Sequence, residues 1–426
     1  MVDINELREK PEAYLEACKK KGVKIDINEV LKLDAAWREL RATVEGERSK
    51  QNQFSKEIGK YKGDERQAKL AEMKTISEQL KGREQELRDL EAKRDALLLR
   101  VPSIPSAKTP VGKDDTENVE VKRWGEIPKF DFKPKSHAEL GESLDIIDIE
   151  RGVKIAGSRS YFLKGDGMRL QHAVMTFTMD TLHKRGFTLM DPPHIVGYDA
   201  MCGTSYFPGG EDQAYRLDER DPNFYLIGTA EVPVTSYHSG EILELSALPK
   251  KYAGYSPCYR REAGTYGKDT SGLYRVHQFH KVEQVIVCEA DAEVSAKFHS
   301  ELLKNAEDVL QALKVPYRVV DVCTGDMGLG QVYKNDIEAW MPFRNGWGET
   351  HSCSTFHDFQ ARRLQLRYKD QSGKTRYCHT LNNTCIASPR ILIPLLELFQ
   401  TADGRVVIPE VLVPYMGGQK EITPKK

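Results

Sequence analysis

The segment Tyr255–Gln284 reads YSPCYRREAGTYGKDTSGLYRVHQFHKVEQ and gathers side chains able to do chemistry within thirty positions. Two stretches with strand-like alternation flank a charged, glycine-containing loop. Successive side chains of a strand point to opposite faces, so Arg260 and Glu262 are expected on one side. On the returning stretch Arg275, His277, Phe279, Lys281 and Glu283 are expected on one face, with Val276, Gln278, His280 and Val282 on the other. Such a face offers guanidinium groups for phosphate or carboxylate, an aromatic plane for a base, and carboxylates for amines or hydroxyls. An exposed hairpin of mixed charge is the plain structural alternative.

Three further clusters bear on the same chemistry. In Leu226–Pro233, Thr229 and Glu231 flank Ala230, so a hydroxyl and a carboxylate two residues apart can both face an ammonium group. A helix N-cap followed by an acidic first turn explains the tripeptide equally well. In Glu349-Thr350-His351-Ser352-Cys353-Ser354, Glu349 and Ser352 carry oxygens of the kind that hold Mg²⁺ between phosphates. His351 and Cys353 are too few for a zinc site. In His379–Arg390, Arg390 heads the apolar run Ile391–Phe399. A buried arginine there needs an anionic or π-faced ligand, or a structural glutamate, to offset its burial.

These clusters need a framework. With 426 residues the chain is long enough for two or three domains. Its formal net charge of −1 provides no global basic field, so any nucleic-acid contact must come from a local patch. Eight cysteines without a CxxC pair point to reduced thiols, and no apolar segment approaches a signal-peptide core or a membrane span. A cytoplasmic protein without membrane contact is expected. Segments from 136 onward mix strand and helix patterns without a βαβ rhythm, and no GxGxxG or P-loop occurs. This leaves an α+β fold with an antiparallel sheet flanked by helices.

Residues 26–100 differ in character. Apolar positions at Val30, Leu33, Trp37, Leu40 and Val44, then Phe54, Ile58 and Tyr61, follow the three-and-four spacing of a coiled-coil seam. After Gly59, Gly63 and Asp64 a second stripe runs through Leu70, Met73, Ile76, Leu80, Leu87, Leu90 and Leu97 and stops at Val101-Pro102. Two helices of some 35 residues would form an antiparallel hairpin roughly 50 Å long. Arg38–Lys62 holds seven basic and four acidic residues, and Asp64–Asp95 eight and nine. A dimerisation coiled coil and a nucleic-acid-binding arm both remain open on this composition.

The Arg-x-Glu stretch, loop and return HQFHKVE resemble the second signature motif of class II aminoacyl-tRNA synthetases, in the form found in the seryl-tRNA synthetase family of bacterial and eukaryotic type. The similarity extends over nearly the whole chain. Met168–Lys184 followed by RGFTLMDPP resembles motif 1, and the segment ending in Arg390 resembles motif 3. The resemblance implies an N-terminal helical arm (1–105), a linker (106–135) and a class II catalytic core (136–426). It implies ATP and Mg²⁺ without structural zinc, a homodimer, and tRNA(Ser), and also tRNA(Sec), bound across subunits through the arm. Arg260, Glu349 and Arg390 would be catalytic. ATP would meet Arg260, Arg261, Glu262, Arg275, Val276, Phe279, Glu349, Thr350, His351, Ser352 and Arg390, with Mg²⁺ on Glu349 and Ser352. Serine would meet Thr229, Ala230, Glu231, Arg260, Glu283, Asn382 and Thr384. The reaction implied is serine activation by ATP and transfer to tRNA; a paralogue passing activated serine to another acceptor is the alternative.

Two details depart from the family pattern. Asp269-Thr270-Ser271-Gly272 has serine where members often carry arginine. Pro394 lies four residues after Arg390, where an α-helix would leave the Arg390 carbonyl without its donor, so a kink or a widened turn is expected just after Arg390.

Overall fold

The computed structural model describes residues 1–218, 220, 223–264 and 272–424. The Asp269–Ser271 departure lies outside the described residues. The chain divides into two compact units, Met1–Pro102 and Ser103–Lys426.

The first unit starts with helices Ile4–Glu9 and Pro11–Lys20, separated at Lys10 because Pro11 opens the second. The hairpin follows as α1 (Ile27–Glu57) and α2 (Gly63–Leu98). Asp26 starts α1 by accepting the N–H groups of Asn28 and Glu29 at 2.9 and 3.3 Å. Gly63, at φ +55°, supplies the left-handed residue that reverses the chain. Val30, Val44, Leu80 and Leu98 are buried along the seam, and Arg48–Glu84 (2.7 Å) and Arg83–Glu47 pair across it. Leu70 is an exception at 48% exposed; the stripe passes through Lys69, whose ammonium lies over Phe54.

The second unit is organised by eight strands: β1 (Val119–Trp124), β2 (Thr188–Met190), β3 (Lys250–Tyr259), β4 (Gln278–Cys288), β5 (Tyr317–Asp321), β6 (Tyr333–Met341), β7 (Gly346–His357) and β8 (His379–Ser388). They lie in the order β1-β5-β6-β7-β8-β4-β3-β2, antiparallel except for the β2–β3 edge. Residues 106–135, expected as a linker, thus contribute an edge strand. β4 is buried along most of its length, and its alternation sorts chemistry from packing. Val282 and Ile286 join the main core, which also holds residues of α3 (Asp166–Lys184) and α4 (Ala292–Ala312). On that side Gln284 donates to the Leu302 carbonyl at 3.2 Å and accepts from Asn305 at 2.7 Å. Phe279, Lys281 and Glu283 face the opposite side.

The clash that would bend the helix at Pro394 does not arise, for a positional reason. The last helix, α5, begins at Leu392, so Pro394 is its third residue, within the first turn where N–H groups have no intrahelical acceptor. The Arg390 carbonyl is met by Ile393 N–H at 3.2 Å instead. Among the described residues no helix is long and apolar enough to cross a membrane.

Candidate active site

One cleft on the face of β7, β8 and β4 collects the sequence clusters. Strand register builds its floor. Glu283 of β4 lies opposite Thr384 of β8, and β8 continues to Asn382 opposite Ser354 of β7. Residues directly opposite on neighbouring strands share a face within side-chain reach, and Thr384 Oγ1 donates to Glu283 Oε2 at 3.1 Å. Lys281 Nζ reaches Glu283 Oε2 at 2.5 Å and Thr229 Oγ1 at 2.6 Å.

The walls come from chain that has left the strands. β3 ends at Tyr259 and β4 begins at Gln278, so Arg260, Glu262 and Arg275 lie outside the regular alternation. Glu262 takes φ +50°, a left-handed value that costs a non-glycine residue energy and aims its carboxylate at Arg275, 3.4 Å away. His277 and Val276 exchange their expected places: Val276 lines the cleft, whereas His277 faces another hollow and bonds the Arg260 carbonyl through Nδ1 at 3.0 Å. Arg260 donates from Nε to the Gly228 carbonyl at 3.2 Å and lies over the Phe279 ring, 5.2 Å from its centroid. Arg390 donates to the carbonyls of Tyr274 (3.2 Å) and Glu349 (3.0 Å) and stacks on Tyr274 at 4.5 Å.

Of the residues expected here, Thr229, Glu231, Arg260, Glu262, Arg275 and Val276 line the cleft, as do Phe279, Glu283, Glu349, Thr350, His351, Ser352, Asn382, Thr384 and Arg390. Two do not. Ala230 is fully buried and packs with Val234, Tyr252 and Val285. Arg261 is exposed, its N–H bonded to the Gln213 carbonyl at 3.0 Å.

Burial, then the neighbouring Glu283, pushes Glu231 up to about 7, against the Gln360 amide that donates to it at 2.8 Å and the charges of Lys281 and Arg260. Burial acts upward on Glu349 too, but Arg390, Lys334, Arg260 and Arg275 outweigh it and hold that carboxyl below its ordinary value. Burial lowers His351 to about 4, so its ring is neutral at physiological pH. An ionised carboxylate and a hydroxyl, Glu349 and Ser352, form an all-oxygen donor pair in the cleft, the ligand chemistry that suits Mg²⁺. Among the described residues no three His, Cys, Asp or Glu side chains could hold a metal together.

Several contributors were missed from sequence. Lys281 shares the alternating face with Phe279 and Glu283, so its place was legible, though its partners were not. Tyr206 and Gln331 arrive from loops with no motif, and Tyr274 from the irregular stretch before β4, where no strand alternation could place it. His137 acts from behind the wall: Leu273 N–H donates to its Nε2 at 3.1 Å, which leaves the ring proton on Nδ1 to donate to Glu397 at 2.7 Å. Glu397 also accepts the N–H of Phe343 at 3.0 Å. His137→Ala should therefore leave an N–H and a buried carboxylate under-satisfied, costing about 1–3 kcal/mol. A lowered melting temperature together with a raised KM for ATP is expected; an unchanged KM would mean that His137 supports the fold without shaping the cleft.

A mainly antiparallel sheet with an arginine-walled cleft built from these four segments defines the core of a class II aminoacyl-tRNA synthetase. Residues 215–399 match the family "tRNA synthetase class II core domain (G, H, P, S and T)", and residues 1–105 match "Seryl-tRNA synthetase N-terminal domain". The serine–tRNA ligase of Deinococcus radiodurans is 46% identical over 99% of this chain and 98% of its own. The crystal structure of the seryl-tRNA synthetase from Pyrococcus horikoshii complexed with ATP is similar at TM-score 0.91 and 40% identity, covering 100% of both chains. The cytoplasmic serine–tRNA ligase of Naegleria fowleri in complex with AMP is similar at TM-score 0.88 and 33% identity, over 100% of this chain and 99% of that one. The chain belongs to the seryl-tRNA synthetase family.

Proposed function

We infer that the chain is an ATP-dependent, AMP-forming serine–tRNA ligase. The serine carboxylate attacks the α-phosphorus of ATP, the bond to pyrophosphate breaks, and the seryl group of the adenylate then passes to the 3′ end of tRNA. The observation that carries this reading is a single cleft with arginines at its walls and the Glu283–Thr384 pair at its floor. The match of residues 1–105 to the seryl N-terminal domain favours tRNA as acceptor over a carrier.

Such a reaction needs little acid–base chemistry; positioning and charge neutralisation do most of the work. Arg260 bridges the serine carboxylate and the α-phosphate. Glu262 receives the adenine amino group, Phe279 and Arg390 hold the base, and Arg275 meets the outer phosphates. The backbone around Val276, Thr350 and His351 shapes the nucleotide pocket. Glu349 and Ser352 would hold Mg²⁺, which would screen the phosphate charge. Thr229 and Glu231 take the serine ammonium, and Glu283, Thr384 and Asn382 its side-chain end. Ala230 supports this pocket from the core, and Arg261 is an exposed contact for ATP. The active form is a cytoplasmic homodimer whose helical arm binds tRNA(Ser), and also tRNA(Sec), across the subunits.

Serine-dependent ATP–pyrophosphate exchange, repeated with a tRNA(Ser) transcript, tests this directly. Exchange that answers to another amino acid, or activation without charging of the transcript, ends the reading. A pH effect follows from Glu231. With its carboxyl raised to about 7, the anion that attracts an ammonium is lost as pH falls through that value. The KM for serine is expected to rise severalfold between pH 8 and pH 6, with KM for ATP changing less; a flat serine KM would remove Glu231 from ammonium binding.

A further inference from the structure

Lys281 is a buried cation inside a pocket meant for another cation. Its side chain is 6% exposed, and it donates to Glu283 Oε2 at 2.5 Å and to Thr229 Oγ1 at 2.6 Å. Glu283, at 2% exposed, receives Thr384 Oγ1 on that same oxygen at 3.1 Å. Both contacts use Oε2, so Oε1 remains to meet a hydroxyl in the cleft. Thr229 links the cation to the ammonium side, because Glu231 N–H donates to the same Oγ1 at 3.1 Å.

We propose that Lys281 is a specificity-determining positioning residue: it supplies the counter-charge of Glu283, occupies one carboxylate oxygen, and leaves the other as a lone acceptor aimed at the serine hydroxyl. The proposal rests on the reading that Glu283 receives that hydroxyl. A carboxylate bonded on one oxygen only is fixed in rotation and accepts without competing to donate. An amino acid lacking the hydroxyl then leaves a charged acceptor buried without a partner, the arrangement that rejects an analogue most strongly.

The surroundings make the counter-charge necessary. The charged and titratable groups facing this pair are Glu231 at the start of its short helix, Arg260 beyond β3, Cys258 on β3, Cys353 on β7 and Cys385 on β8. The cysteines are buried and neutral, and Glu231 is a second acid beside Glu283. Without Lys281, Arg260 would be the remaining cation, and it is committed to the substrate carboxylate. A buried carboxylate beside another acid and without its partner takes up a proton. It then becomes a group that both donates and accepts, and discrimination falls. Deprotonation at higher pH would restore the acceptor.

The test is equilibrium binding of a non-hydrolysable seryl-adenylate and its alanyl counterpart to the full chain between pH 6 and pH 9. The two ligands share ammonium, phosphate and base, so the ratio of their Kd values isolates the hydroxyl contact and cancels the titration of Glu231. The unsubstituted chain should give a high ratio that is flat with pH. Lys281→Met should lower the ratio roughly tenfold or more at pH 6.5 and recover toward pH 9, whereas Lys281→Arg should keep it flat. A Lys281→Met ratio equal to that of the unsubstituted chain at every pH overturns the proposal. So does an unsubstituted chain whose own ratio falls between pH 8 and pH 6, and this profile decides alone should the methionine chain fail to fold. Glu283→Gln separates the two layers. If it leaves the ratio unchanged, the hydroxyl assignment fails and takes this proposal with it; if it collapses the ratio while Lys281→Met does not, only the role of Lys281 is overturned.

Discussion

Replacing Arg260 by glutamine is expected to reduce serine-dependent pyrophosphate exchange by roughly 10²–10³-fold, with most of the loss in kcat. The size follows from what the side chain alone can do. A guanidinium stays charged at any working pH and presents a planar fork to two oxyanions at once. Its Nε is anchored on the Gly228 carbonyl at 3.2 Å, and its plane lies over Phe279. The terminal nitrogens are thereby directed into the cleft, where nucleophile and α-phosphate, both anionic, must approach. Glutamine keeps much of the packing but brings no charge, and loss of one preorganised electrostatic donor is commonly worth 10²–10³ in rate. Because the residue lies beyond the end of β3, the fold should tolerate the change. Steady-state exchange kinetics with a melting curve check this. A loss under tenfold in a chain of unchanged stability would take Arg260 out of the chemistry.

Removing residues 1–102 is expected to abolish tRNA charging while sparing most of the adenylation. The cleft is assembled entirely from residues between 206 and 390, and Met1–Pro102 forms a compact unit of its own. The cut belongs at 102 and not at 105. Ser103 N–H donates to the Leu329 carbonyl at 3.0 Å, its hydroxyl reaches the Gln331 carbonyl at 3.0 Å, and Ser106 N–H bonds the Val332 carbonyl at 2.8 Å. These bonds tie the start of the second unit to a segment that supplies Gln331 to the cleft. A cut at 105 would confuse loss of the arm with damage to the site. Pyrophosphate exchange and charging of a tRNA(Ser) transcript, measured on the same preparation, separate the outcomes. Equal loss of both activities would mean that the arm supports the core fold.

What could be read in advance depended on whether a position obeys a local period. On β4 it does: the two-residue repeat correctly placed Phe279, Lys281 and Glu283 on one face and Val282 on the other. The hairpin obeys one too, and its two helices run close to their expected lengths; Leu70 was misplaced because one residue of drift moves a side chain off the seam. Where the backbone leaves regular structure the period ceases to apply. Glu262 turns left-handed, Val276 and His277 exchange sides, and the proline expected to kink a helix falls harmlessly in its first turn.

The sequence by itself determined the chemical inventory, because the identities and order of the motif residues are written in it, and it determined the elements whose periods carry them. The tertiary structure decided which atoms meet. Glu283 and Thr384 are 101 residues apart and touch only through the pairing of β4 with β8. Lys281 joins Thr229 across 52 residues, and His137 braces Leu273 across 136. Periodicity is set by neighbours along the chain, whereas register and loop closure are set by the packing of the whole sheet. A partner for a buried charge is therefore known only once that packing is complete.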